Sequence, residues 1–244
     1  MTIDSSLNKS PPPLIVAMDF DAAEPCLALA KKLNPEHCRL KVGKELFTST
    51  GTPLVEELMG LGFEIFLDLK FYDIPNTVAK AVKAAAELGV WMVDVHASGG
   101  ERMLSEAKNA LEQYTGNKKP LLIAVTVLTS MTRQDLQSIG LDVEPKDHVI
   151  RLAELTRNVG LDGVVCSAEE AKLLKSRIGK DFCLVTPGIR PEGSSSDDQS
   201  RIVTPQQALA NGSDYLVIGR PITRAKDPAK ACEAIYHSLY SGSQ

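Results

Sequence analysis

The residues best placed to do chemistry are Asp68, Lys70 and Asp73, in the run Phe66-Leu67-Asp68-Leu69-Lys70-Phe71-Tyr72-Asp73-Ile74-Pro75-Asn76-Thr77. The run opens as a strand. Side chains on a strand alternate with a period of two, so Asp68 and Lys70 share one face while Leu67, Leu69 and Phe71 share the other. Charge at the end of a buried strand is costly unless it is paired. A carboxylate, an ammonium and a second carboxylate stabilise a core poorly. They do hold an ammonium in its charged form, because neighbouring negative charge favours it. A structural ion pair is the plain alternative for Asp68 and Lys70. Pro75 suits the first turn of a following helix.

Positioning such a cluster needs a frame, and the rest of the chain supplies one. Apolar runs that suit parallel strands covered on both faces occur at residues 14–19, 39–43, 64–70, 91–96, 120–129, 162–166, 182–187 and 214–219. Helical spacing lies between them: 22–33, 44–61 (interrupted near Gly51-Thr52-Pro53), 77–88, 100–114, 133–139 with 147–158, 168–178, 205–211 and 228–239. Strand and helix alternate eight times without a long linker or a shift in composition. This predicts a single-domain α/β fold, a (β/α)8 TIM barrel over residues 14–244, with its active site where strands end and the following loops begin. A doubly wound open sheet is the alternative, but no G-x-G-x-x-G follows the first strand. Residues 1–13 are polar and end in three prolines, which reads as a flexible lead-in and not as a signal peptide.

On that frame Asp19, Lys41, Asp68, Lys70, His96, Thr129, Ser130, Arg190 and Arg220 all fall at or just past the C-terminal ends of strands. Singly, Asp19 can be a helix cap and Lys41 can extend to solvent. Together they mark one mouth of the barrel, since unrelated surface charges have no reason to gather there. His96 reads as a supporting hydrogen-bonding residue. The turns Thr186-Pro187-Gly188-Ile189-Arg190 and Ile218-Gly219-Arg220-Pro221 follow strands seven and eight, where barrels of this kind often hold a phosphate. Glycine lets backbone N–H groups approach an anion, and arginine adds a bidentate fork. The polar loop 191–201 beside them reads as a closing lid.

Composition excludes other classes. The chain has 244 residues and a formal net charge of −4, so nothing suggests a nucleic-acid or membrane surface. Five cysteines without C-x-x-C spacing read as reduced thiols of a cytoplasmic protein. The four histidines do not provide the two-histidine, two-acid metal set of a phosphate-sugar epimerase, since only His96 sits at a strand end.

The string from Asp68 to Thr77 resembles the signature of the orotidine 5′-monophosphate decarboxylase family in its bacterial short-chain form. Leu40-Lys41-Val42-Gly43-Lys44, Val95-His96-Ala97-Ser98-Gly99-Gly100, Leu128-Thr129-Ser130 and the two glycine turns match as well, in order. Tyr72 departs from the pattern, which usually has histidine there. The D-x-K-x-x-D core alone also occurs in related sugar-phosphate enzymes. The resemblance implies conversion of orotidine 5′-monophosphate to uridine 5′-monophosphate and CO2, with no cofactor and no metal. It implies that Asp19 and Lys41 hold the ribose, and that Lys41, Asp68, Lys70 and Asp73 form a charged array with Lys70 as proton donor. Thr129 and Ser130 lie by the pyrimidine and Pro187 packs on it. Arg190, Gln199, Gly219 and Arg220 hold the 5′-phosphate, Gln199 being brought in by the lid. Asp73 and Thr77 are implied to enter the active site of a partner subunit, making the enzyme a homodimer. Two alternatives stay open at this point: a metal-dependent sugar-phosphate lyase or epimerase of the same fold, and a non-catalytic nucleotide-binding dimer.

Overall fold

The computed structural model describes residues 12–116, 118–191 and 203–240. Most of the expected lead-in and of the expected lid, including Gln199, lies outside the described residues. Pro12 and Pro13 are tied down: the Pro12 carbonyl accepts from Arg39 Nη1, and the Pro13 carbonyl accepts from Leu216 N at 2.9 Å.

Eight parallel strands close into a barrel in chain order. They are β1 (Leu14–Ala17), β2 (Arg39–Gly43), β3 (Ile65–Phe71), β4 (Met92–His96), β5 (Leu121–Val125), β6 (Gly163–Val165), β7 (Cys183–Thr186) and β8 (Tyr215–Ile218). Between them run α1 (Ala23–Ala30), α2 (Lys44–Thr50), α3 (Thr52–Gly60), α4 (Pro75–Leu88), α5 (Gly100–Glu112), α6 (Arg133–Ser138), α7 (Pro145–Val159), α8 (Ala171–Ile178), α9 (Pro205–Ala210) and α10 (Arg220–Thr223), with α11 (Pro228–Ser238) closing the ring. The interruption expected near Gly51 separates α2 from α3, and Gly51 itself has φ +67°. The one-turn helix α10 was not expected from periodicity.

Alternation along each strand sorts the apolar side chains into two cores. Leu14, Val16, Leu40, Val42, Leu67, Val93, Val95, Leu184 and Leu216 face the helices. Ile15, Ala17, Phe66, Met92, Ile123, Val185 and Val217 fill the barrel interior. The N-terminal end is plugged by Arg39, 3% exposed, whose guanidinium lies 4.1 Å from the Trp91 ring centroid and pairs with Glu64 at 2.7 Å. The interior is therefore a packed floor, and room for a ligand is left at the other mouth.

The frame departs from regularity where the chemistry was expected. Between Leu67 and Phe71, β3 advances four residues while β4 advances only from Val93 to Val95. This is a bulge: extra residues on one strand break the ladder and re-aim side chains. Lys70 sits in it with φ +50°, the sole non-glycine with positive φ among the described residues. The strict alternation expected from sequence thus fails at Lys70. After the bulge, Pro75 opens α4 and Gly89, at φ +91°, ends it in the left-handed conformation.

Candidate active site

Three strand ends meet at the open mouth. Lys41, on the inward face of β2, is nearly buried; its Nζ lies 3.1 Å from Asp68 Oδ2 and 3.3 Å from Asp19 Oδ1. Lys70 Nζ pairs with the other oxygen, Asp68 Oδ1. The four groups alternate in sign: Asp19, Lys41, Asp68, Lys70. Burial would lower the Lys41 ammonium, yet the charges of Asp68 and Asp19 raise it above its ordinary value. Burial would likewise raise Asp68, but the charges of Lys41 and Lys70 hold its carboxyl below the usual range. Both ions of the Lys41–Asp68 pair therefore stay charged, as a buried pair must to offset its desolvation.

A glycine makes the close approach possible. A Cβ placed on Gly43 would lie 3.2 Å from Lys41 Nζ. Gly43 has φ −93° and ψ −178°, a conformation open to any residue, so the position calls for space and not for backbone freedom.

Lys41, Asp68 and Lys70 line a cavity with Thr129, Ser130 and Pro187, over a floor of Phe66, Val125, Val185 and Val217. Its volume is ≈ 170 Å³. Asp19 lines the adjoining opening with Gly43 and Lys44. β5 ends at Val125, so Thr129 and Ser130 stand on the loop beyond it, not at a strand end. Gly188, at φ +80°, takes a conformation that favours glycine. Gly219 N-caps α10, which begins at Arg220. Arg190 is buried, with Nη1 donating to the Ile189 carbonyl at 3.0 Å.

Asp73 and Thr77 do not join this cluster. Both are exposed, and Asp73 Oδ1 accepts from Ile74 N at 2.6 Å. His96 makes no hydrogen bond through Nδ1 among the described residues; its ring lies 5.6 Å from that of Tyr72. Burial, and then the charges of Lys44 and Lys70, lower its pKa and keep the imidazole neutral.

The chain matches the model of the Orotidine 5′-phosphate decarboxylase / HUMPS family over residues 12–235. The chain belongs to this family. A protein of Vibrio cholerae serotype O1 (strain M66-2) named orotidine 5′-phosphate decarboxylase is 63% identical, over 93% of this chain and 98% of its own length. One of the same name from Chromobacterium violaceum is 62% identical, over 95% of this chain and 94% of its own. The crystal structure of orotidine 5′-phosphate decarboxylase from Lactobacillus acidophilus superposes with a TM-score of 0.85 at 41% identity, covering 94% of this chain and all of that one. Family membership places the alternating charges of the barrel mouth in a decarboxylase setting. Sequence reasoning missed two contributors to that mouth, Gly43 and Asp94. Asp94 was visible as a lone acid in the apolar strand Trp91-Met92-Val93-Asp94-Val95, on the same face as Met92 and His96.

Proposed function

We propose that the chain decarboxylates orotidine 5′-monophosphate to uridine 5′-monophosphate, with Lys70 as the group that stabilises and then protonates the reacting carbon. The observation that carries the mechanism is the alternating cluster Asp19–Lys41–Asp68–Lys70 at the cavity wall. The bond from C6 to the carboxylate breaks, its electron pair stays on C6, and CO2 departs. No adjacent carbonyl delocalises that carbanion, so a fixed cation beside it is the main stabiliser. The Lys70 ammonium supplies that charge and then its proton, and the neutral amine is reprotonated from solvent. Pre-oriented charge acts without reorganisation during the reaction. Asp68, between the two lysines, keeps Lys41 charged and faces the substrate carboxylate.

Asp19 and Lys41 hold the ribose hydroxyls in this reading. Thr129, Ser130 and Pro187 contact the pyrimidine, and Arg190, Gly219 and Arg220 hold the 5′-phosphate with Gln199. Phosphate binding far from C6 supplies energy that the catalytic step can use. The homodimer belongs to the same proposal. Exposed Asp73 and Thr77 flank Ile74, 66% exposed and adjoining Tyr72, 61% exposed. Such a stretch suits a surface that a second copy covers, carrying Asp73 and Thr77 into the neighbouring site. Free cysteines support a reducing cytoplasmic setting. Among the described residues no helix is long and apolar enough to cross a membrane.

The test is Lys70→Ala, followed by the loss of orotidine 5′-monophosphate absorbance and by uridine 5′-monophosphate binding. Losing one positioned donor typically costs about 2.7–4 kcal/mol, so kcat should fall at least about 10²–10³-fold while nucleotide binding survives. Near-normal kcat sinks the mechanism. For the dimer, mixing inactive Lys70→Ala with inactive Asp73→Ala should restore activity, because one site per heterodimer keeps both groups. Failure of an exchanged mixture to regain any activity removes Asp73 from the partner's site.

A further inference from the structure

Asp94 lies on the inward face of β4 beneath the charged cluster, and the mechanism above gives it no task. Its Oδ1 accepts the backbone N–H of Lys70 at 2.7 Å. That N–H belongs to the bulged residue at φ +50°, where the β3–β4 ladder skips. A non-glycine in such a conformation costs about 1–3 kcal/mol and persists where its surroundings over-determine it. Asp94 is thus the acceptor that fixes the backbone carrying the reacting ammonium. The rest of its side chain is more unusual. Asp94 is fully buried, and its Oδ2 meets no hydrogen-bond donor among the described residues. In the β3–β4 register Phe66 pairs with Met92 and Leu67 with Val93, so the next inward residues on the two strands are Asp68 and Asp94.

Two ionised carboxylates in contact and out of water repel, and such a pair relieves itself by keeping one proton. Asp68 has the Lys41 and Lys70 ammoniums beside it, whereas Asp94 receives a single backbone N–H. The proton therefore belongs to Asp94. We propose that Asp94 is a positioning residue for Lys70: a neutral carboxylic acid whose Oδ1 accepts the Lys70 backbone N–H and whose Oδ2–H donates to the Asp68 carboxylate.

Electrostatics agrees with this geometry. Burial, and then the Asp68 charge, push the Asp94 carboxyl well above the carboxylate range, with Lys70 opposing. The charged and titratable groups around it are Asp68 and Lys70 from β3, Lys41 from β2 beyond Asp68, and His96 further along β4, itself influenced by Lys44 of α2. β5 presents Ile123 and Val125 to the interior. A neutral Asp94 leaves the cluster balanced at two carboxylates and two ammoniums. An ionised Asp94 would place a third anion under Asp68 and draw the Lys70 ammonium away from the cavity.

The inference rests on Lys70 being the cation at the reacting carbon, so its test uses the full-length protein with Lys70→Ala as reference. Infrared difference spectra at pH 7 should show the carbonyl stretch of a protonated buried carboxyl, shifted by deuteration and lost in Asp94→Asn. Asp94→Ala should lower kcat by about 10²-fold, the effect of about a 1 Å misplacement near the chemistry, with affinity for uridine 5′-monophosphate retained. Asp94→Asn keeps one acceptor and one donor and should recover most of that loss with an unaltered pH profile. Absence of the band in the wild type overturns the neutral acid, and this measurement does not depend on Asp94→Ala folding. Asp94→Asn as impaired as Asp94→Ala overturns it too, and wild-type kcat in Asp94→Ala overturns the positioning role. Full activity in Lys70→Ala would instead remove the mechanism beneath both.

Discussion

Gly43→Ala tests whether the position of the Lys41 ammonium matters to catalysis separately from its presence. The added Cβ would lie 3.2 Å from Lys41 Nζ and 3.9 Å from Asp19 Oδ1. The backbone at Gly43 already suits alanine. The ammonium must therefore give way by about 0.3 Å, and at an effective dielectric of about 20 a move that far from Asp68, starting at 3.1 Å, loses about 0.5 kcal/mol. Asp19 is more than half exposed, so water screens its share and adds little. The fold should survive with a loss below about 1 kcal/mol. Activity should suffer more: misplacing groups by about 1 Å costs about 10²-fold, so about 0.3 Å corresponds to a fall of about 4-fold in kcat/KM, rising towards about 20-fold if Lys70 shifts with Asp68. The assay is the absorbance change of orotidine 5′-monophosphate beside a denaturant titration. Gly60→Ala, where a Cβ meets nothing within 4 Å, is the control. Wild-type kcat/KM in a folded Gly43→Ala protein refutes the reasoning, as does a stability loss that accounts for all of the lost activity.

Gly163→Ala should be severe for a different reason. Its Cβ would fall 2.1 Å from the Cys183 carbonyl oxygen, where β6 pairs with β7, and backbone there has no room to yield. Destabilisation at the upper end of the usual about 1–3 kcal/mol for overpacking, or beyond, is expected in chemical denaturation, and an unchanged midpoint would contradict the packing. Acid stability follows from Asp68. Its folded pKa lies below the unfolded value of about 3.9, so its contribution is present above that value and is lost as pH falls through the folded one. Lys41→Met removes the largest favourable charge on Asp68, so the variant's stability should fall less steeply with acidification over this range. Identical slopes for wild type and variant would show that this pair does not set the acid limb.

The barrel was legible because each strand is an apolar run and each helix carries its own boundary. Pro75 opens α4, Gly89 closes it, and Gly51 separates α2 from α3. Burial on both faces makes a parallel strand hard to mistake. The strand-end charges were legible for the complementary reason: Lys41 and Asp68 interrupt such runs. Strand ends were less visible. The extended run 120–129 contains β5, but pairing stops at Val125 and leaves Thr129 and Ser130 on a loop. α10 is a single turn, too short for periodicity to mark. The bulge could not be read at all. Nothing in Asp68-Leu69-Lys70 signals positive φ, since lysine disfavours it, and the extra residues appear only against β4. Asp94 was hidden by the same fact, because its partner is a backbone N–H exposed by that bulge.

A regular β3 would have placed Asp68 and Lys70 on one face, two residues apart along the strand. It would also have turned the Lys70 N–H towards β2, the side on which the Glu64 carbonyl meets Leu40 N. The bulge changes both placements. Asp68 keeps strand geometry and stays nearly buried between Lys41 and the barrel interior, while Lys70 turns so that its ammonium meets Asp68 from the cavity side, a quarter exposed. The distortion frees a backbone donor in the interior, and an unsatisfied buried donor costs about 1–3 kcal/mol. Asp94 supplies the acceptor, but an ionised carboxylate there would oppose the charge that the site is built to fix. A carboxylic acid meets both requirements, accepting from Lys70 and donating to Asp68. The irregular strand, the buried acid and the balanced charges are thus one arrangement, and altering any of them should move the Lys70 ammonium.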